Sequence, residues 1–221
     1  MGSITRSLSN NITTGGVILP AGITNSSVSA VTSFANASGG TLTLLSTQTA
    51  SASATISFTT GLNSTYDEYV FKFINIHPAT NSAHFSFNGS IDSGSNYNVT
   101  KTTTNFRAFH TEDDVTANLT YESAFDLAQS TAFQELAYNA GNNNDDNSTG
   151  SLTLFNPSST TYVKHFISTL SYSHTTASAG EINSYIAGYF NTTSAINAIQ
   201  FKFNTGNIDD GIIKLYGVKK S

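Results

Sequence analysis

Glu68-Tyr69-Val70-Phe71-Lys72-Phe73-Ile74-Asn75-Ile76-His77 is the stretch on which the fold turns. Its apolar residues stand at odd and even positions alike. An extended chain with that pattern is apolar on both faces, which marks a strand in the middle of a sheet. Pro78 follows and can end the pairing without breaking a ladder. Upstream, Leu42 and Leu44, and then Ala54, Ile56 and Phe58, alternate with Thr and Ser. Downstream, Phe85 and Phe87 alternate with His84, Ser86 and Asn88. Residues 151–155, 162–174, 181–190, 196–203 and 212–218 are further runs of strand length, bounded by Gly, Asn, Asp, Ser or Pro. Pro157 closes one of them, and Asp92-Ser93-Gly94-Ser95-Asn96 and Thr205-Gly206-Asn207 carry turn chemistry.

Eight or nine short strands separated by turn signals predict an all-β fold, an antiparallel β-sandwich or barrel, with a jelly roll as the preferred version. The period of two excludes a helical repeat, and the lack of intervening helices excludes a parallel α/β sheet. Residues 121–139 are the exception. Ala124, Phe125, Ala128, Ala132, Phe133, Leu136 and Ala137 fit one helix face, which predicts one or two helical turns or a packed loop.

The chain has 221 residues, enough to bury a core without cross-links, and it contains no Cys and no Trp. That rules out a disulfide framework, a thiol nucleophile and a zinc-thiolate site. Charged residues are only 10%, while 15 Phe and 10 Tyr set the chain apart from disordered sequences. A net charge of −5 provides no basic surface for nucleic acid. The first thirty residues carry only Arg6, and the longest apolar stretch is Gly15-Gly16-Val17-Ile18-Leu19-Pro20-Ala21-Gly22. Neither a secretory leader nor a membrane span, which takes roughly 20 apolar residues, is expected from this pattern. The expectation is a chain made in a cytoplasm, with no membrane partner.

Residues 1–66 contain the single charge Arg6. Residues 1–50 are expected to form an extended, low-charge arm for anchoring or assembly, with Ile12, Val17, Ile18 and Leu19 as apolar anchors. Such a segment cannot bury enough apolar area alone to offset its ordering entropy, which leaves a floppy terminus or an arm that orders against a partner; the low charge favours the arm. Residues 51–221 are then the sandwich, with an acidic insertion at about 111–147. Glu112, Asp113, Asp114, Glu122, Asp126, Glu135, Asp145 and Asp146 fall there, and no Lys or Arg lies between Arg107 and Lys164. Calcium and a merely solvated insertion both fit this charge. However, Asn142-Asn143-Asn144-Asp145-Asp146-Asn147 lacks the spaced Asp pattern with a closing Glu.

Catalytic signatures are missing: no G-x-S-x-G elbow, no P-loop, no G-x-G-x-x-G and no H-E-x-x-H. The five His (His77, His84, His110, His165 and His174) fall on or beside strands, where a hydrogen-bonded structural role is the commoner one. Asp67–Glu68, Asp113–Asp114 and Asp209–Asp210 are adjacent pairs, which a strand would point to opposite faces. The expectation is a chain that is not an enzyme and needs no cofactor. Tyr97, Tyr121 and Tyr138 with the Asn-rich loops are the candidate glycan contacts. The competing role for each is to cap the core with its hydroxyl in water.

Residues 67–100 resemble small structural proteins of marine bacteriophages. The likeness rests on Asp67 to His77, Pro78-Ala79-Thr80, Phe85 with Phe87, and Gly94-Ser95-Asn96-Tyr97-Asn98. Leu154-Phe155-Asn156-Pro157-Ser158-Ser159, Lys164-His165-Phe166 and residues 185–193 resemble them as well. Gly211-Ile212-Ile213-Lys214-Leu215-Tyr216-Gly217-Val218 is similar to the last strand of phage fibre and surface jelly rolls. Leu8-Ser9-Asn10-Asn11-Ile12-Thr13-Thr14-Gly15-Gly16-Val17-Ile18 is similar to the lead segment of tail-fibre-type proteins. The resemblance implies a virion component of tail-fibre or capsid-decoration type, released by lysis. Its partners would be other virion proteins and copies of itself, with a trimer usual among fibres. The alternative is a carbohydrate-binding module that recognises host surface glycans.

Overall fold

The computed structural model describes residues 12–13, 16–17, 42–174 and 179–218. The chain divides into two compact units, Met1–Gly39 and Gly40–Ser221. In the first, β1 (Ile12–Thr13) pairs antiparallel with β2 (Gly16–Val17), with Ile12 opposite Val17. Two of the proposed anchors are thus register partners in this pairing. Ile18 and Leu19 lie outside the described residues.

The second unit holds twelve strands and, among the described residues, no helix. They are β3 (Leu42–Thr49), β4 (Ile56–Phe58), β5 (Glu68–Pro78), β6 (Ala83–Ser90), β7 (Lys101–Thr111), β8 (Ala117–Tyr121), β9 (Gln134–Ala140), β10 (Ser148–Phe155), β11 (Lys164–His174), β12 (Gly180–Phe190), β13 (Ala198–Phe203) and β14 (Ile208–Val218). Four antiparallel pairings nest inside one another: β3 with β14, β4 with β13, β5 with β10, and β6 with β9. This is one long hairpin, folded over so that successive strands alternate between two layers. Layer one runs β3-β14-β5-β10 and layer two runs β4-β13-β6-β9. That order is a jelly roll, two Greek keys closed on one core.

The remaining strands extend layer one beyond β10 in the order β11-β12-β7-β8. The layers join where His174 on β11 pairs with Ala140 on β9. Between them lies a phenylalanine core. Phe201 on β13 meets Phe58, Phe71, Phe73, Phe85 and Phe87 at centroid distances of 5.2–6.3 Å. Phe166 and Phe190 continue this core under the added strands.

β5 is central, flanked by β14 and β10. Val70 and Ile74 give it apolar residues on the other face, and one further part of its double-faced pattern, Ile76, has a local cause. Tyr69, Phe71 and Phe73 point inward at odd positions, and then Asn75 takes φ +51° and the ladder slips by one residue. After this β-bulge the even residue Ile76 is the fully buried one. The partner strands accommodate the kink with glycine. Gly211 has φ +128°, and a Cβ there would fall 2.7 Å from the Asn75 carbonyl oxygen.

Three expectations change. Leu42–Thr49 is an edge strand of layer one, so the sheet unit begins about ten residues before the expected boundary at 50. The acidic segment 111–147 is not a single insertion, because β9 within it is a core strand of layer two. Residues 121–139 form no helix. Residues 122–133 are loop, with Phe125 stacked on Tyr138 at 4.2 Å, and β9 then buries Leu136, Tyr138 and Ala140. The apparent helical spacing arose from one packed loop side chain followed by an alternating strand.

Candidate functional site

The strands beyond β10 carry the outward face with the most exposed aromatic surface. On β7 the side chains of Thr102, Thr104 and Phe106 point out, and on β12 those of Tyr185, Ala187 and Tyr189. The register sets Phe106 directly between Tyr185 and Tyr121 of β8. The Phe106 and Tyr185 rings stack at 4.9 Å with planes 10° apart. Each covers one face of the other, and both stay exposed, so the pair forms a ridge on the outward face. Tyr121 is 53% exposed, and its hydroxyl donates to Asp126 Oδ2 at 2.5 Å. That bond to a carboxylate raises the phenol's pKa.

Beside the ridge is a shallow, mainly apolar depression of about 470 Å³. The small outward side chain of Ala187 leaves the space. Thr102, Thr104, His165, Ile167 and Tyr189 surround it, with His165 against Tyr189 at 5.7 Å. Ile167 is 53% exposed on a strand that could have carried a polar residue there. β8 closes this end of the sheet. All five of its residues are exposed, Leu119 by 71%, and none is charged.

The three tyrosines proposed as glycan contacts are not one site. Tyr121 is the exposed one of the three, Tyr97 is half-buried and Tyr138 is buried. Tyr138 is 6% exposed and sits inside against Phe125, Tyr172 and His174, where burial pushes its hydroxyl's pKa up. The guanidinium of Arg107, paired to Glu122 at 2.6 Å, lies 4.9 Å from the Tyr138 ring. This corrects the expectation for Tyr138, because a ring covered on both sides cannot receive a sugar. Tyr97 lies in the loop before β7 with its hydroxyl buried.

A second, polar cleft of about 400 Å³ brings Asn75 and His77 together with residues 144–147, Asp209 and Asp210. Its acids are engaged locally. Asp146 Oδ2 accepts from the backbone and side chain of Asn143, and Asp210 Oδ1 accepts from the Gly211 N–H. Among the described residues no three His, Asp or Glu side chains converge as a metal-ligand set. The histidines are dispersed: His84 between Glu135 and Asn139, His110 beside Asp114, and His174 inside beside Phe109.

The sequence reading did not find Phe106 and Tyr185, nor the buried Lys101. The available signal was the period of two over residues 101–111. Its outward phase is apolar at Phe106 and Ala108, while its inward phase is Lys101, Thr103, Asn105 and Arg107. Comparison with protein-family models, curated proteins and solved structures found no match.

Proposed function

We propose that this chain is a non-enzymatic structural component of a bacteriophage virion, a tail-fibre or capsid-decoration-type protein displayed at the particle surface and held by its N-terminal unit. The observation that carries the reading is the nested jelly-roll order preceded by a separate unit of almost no charge. Jelly rolls of two Greek keys are a common architecture of capsid and lectin domains. The uncharged edge strands β3 and β8 support self-association, because edges of monomeric sheets are usually blunted by charge or proline. A homo-oligomer within the virion, made in the host cytoplasm and released by lysis, follows from this reading.

Mass spectrometry of purified particles tests it, as copies relative to the major capsid protein. A simple lattice fraction assigns decoration, a few copies per particle assign the tail, and absence refutes the proposal. The anchor is tested by deleting residues 1–39, which spares β3. The remaining domain is expected to fold and to fail to join particles. The second reading, glycan recognition, is favoured by the exposed Tyr121–Phe106–Tyr185 row beside the depression. It predicts glycan-array binding that Tyr121→Ala and Tyr185→Ala abolish.

A further inference from the structure

We propose that Lys101 and Asn88 join covalently, the Asn88 side chain acylating Lys101 Nζ, so that an amide cross-link ties the two layers of the sandwich. Asn88 is on β6, opposite Gln200 of layer two, and Lys101 opens β7, opposite Phe190 of layer one. Both side chains are fully buried. Lys101 Nζ lies 2.7 Å from Asn88 Oδ1 and 2.9 Å from the Val99 carbonyl oxygen, and the Phe190 ring is 5.6 Å away. Among the described residues no carboxylate pairs with it. A cation stripped of water and given only neutral acceptors is unstable. Burial accordingly brings this amine down to about 7, so a large fraction is the neutral nucleophile at neutral pH.

The acyl group is held as firmly as the amine. Asn88 Nδ2 donates to the carbonyl oxygens of Tyr97 at 2.8 Å and Thr131 at 2.9 Å. Asn88 Oδ1 accepts the Gly89 N–H at 2.8 Å, a donor aimed at the oxygen on which negative charge develops. In the step, the Nζ lone pair forms a bond to Cγ and the Cγ–Nδ2 bond breaks. A proton passes from Nζ to Nδ2, which leaves as ammonia. Nothing else is consumed. Fixing the two groups in contact supplies an effective concentration far above any in solution. No carboxylate is in place to carry the proton, so the linked fraction grows slowly with time. The product is a neutral amide where a buried cation stood, in a chain with no cysteine to bridge its layers. Lys164 provides an internal contrast. It is equally buried, but its Nζ donates to the backbone carbonyl of Thr192 and faces no side-chain amide.

Intact-mass spectrometry of the full chain reads the step, after a week folded at about pH 9, above the amine's pKa of about 7. The expected result is the loss of one ammonia and, after digestion, a peptide in which residues 88 and 101 are joined through their side chains. Lys101→Met is expected to keep its full mass at this position. Equal ammonia loss in Lys101→Met would assign the loss to a cyclic imide at Asn88-Gly89 and overturn the proposal. An unsubstituted chain that keeps its full mass for the week also overturns it, without reliance on any variant.

Discussion

Lys101→Met, compared with freshly purified parent whose amine is still free, tests the energetics of the β6–β7 contact. The unfolded amine titrates near its ordinary value of 10.5 and the folded one near 7. Between those values the unfolded state binds more protons, so the free energy of unfolding rises with pH across that window and is flat below it. At about 1.36 kcal/mol per pH unit, the penalty present at pH 6 is about 5 kcal/mol, and it vanishes by about pH 10.5. Met fills a similar volume without charge, but it gives up two hydrogen bonds, to Asn88 Oδ1 and Val99 O, worth about 1 kcal/mol each. The variant should therefore be more stable than the parent by about 3 kcal/mol at pH 6 and less stable by about 2 kcal/mol at pH 10.5. The two stability curves should cross near pH 9. Urea denaturation followed by circular dichroism of the backbone, which does not depend on the phenols that ionise at about pH 10, gives both curves. Parallel curves from pH 6 to 10 would refute the reasoning, because they would mean that Lys101 does not carry a buried charge. Aged, cross-linked chain should follow neither curve, having lost the titrating amine.

Phe201→Ala removes the ring on which both layers meet. Its five ring partners and complete burial place the loss at the upper end of the usual range, about 4–5 kcal/mol, read as a lower urea midpoint at unchanged slope. His84→Gln removes the contact of Nδ1 with Glu135 Oε2 at 3.0 Å. The Glu135 hydrogen bond raises the His84 pKa against the effect of burial. The stability from this pair is therefore fully present below the unfolded value of 6.5 and is lost as pH rises through the folded one. The variant should lack that loss in a pH series of urea midpoints, and a parallel series would show that the pair contributes nothing.

Much of the jelly roll was legible because its eight strands bury one face, and an alternating pattern over four or more residues survives in the sequence. β5 was placed correctly for a partly different reason from the one its pattern suggested. Of its even apolar residues, Val70 and Ile74 lie before the slip on the other face of a strand paired on both sides, and only Ile76 is moved into the phase of Phe73 and Tyr69 by the slip at Asn75. No local signal announces that slip, because Asn75 is an ordinary polar residue until its φ is known. β9 was hidden for a similar reason: Phe125 packs onto Tyr138 from a loop, and the two together mimic a helical repeat.

β7, β8 and the outward ridge were illegible because layer one has eight strands and layer two only four. The inner face of the overhang has too little apolar surface opposite it, and β9 and residues 122–133 cover it with polar partners. Thr103 donates to Gln134 Oε1 at 2.5 Å, Ser184 to the Leu136 carbonyl oxygen at 2.6 Å, and Arg107 to Glu122. Lys101 and Asn88 complete that row of buried polar contacts. Most of these groups are paired, because an unpaired one costs a large part of a small domain's stability; Asn105 Oδ1 on β7 is the exception. The inward phase of β7 is therefore mostly hydrophilic, with Phe109 beside His174 as its one apolar member, and Phe106 and Ala108 of the same strand face solvent. Phe106 is out for the same reason that Lys101 is in. The aromatic face proposed to meet a partner and the amine proposed to cross-link the layers are two consequences of one mismatch in strand number.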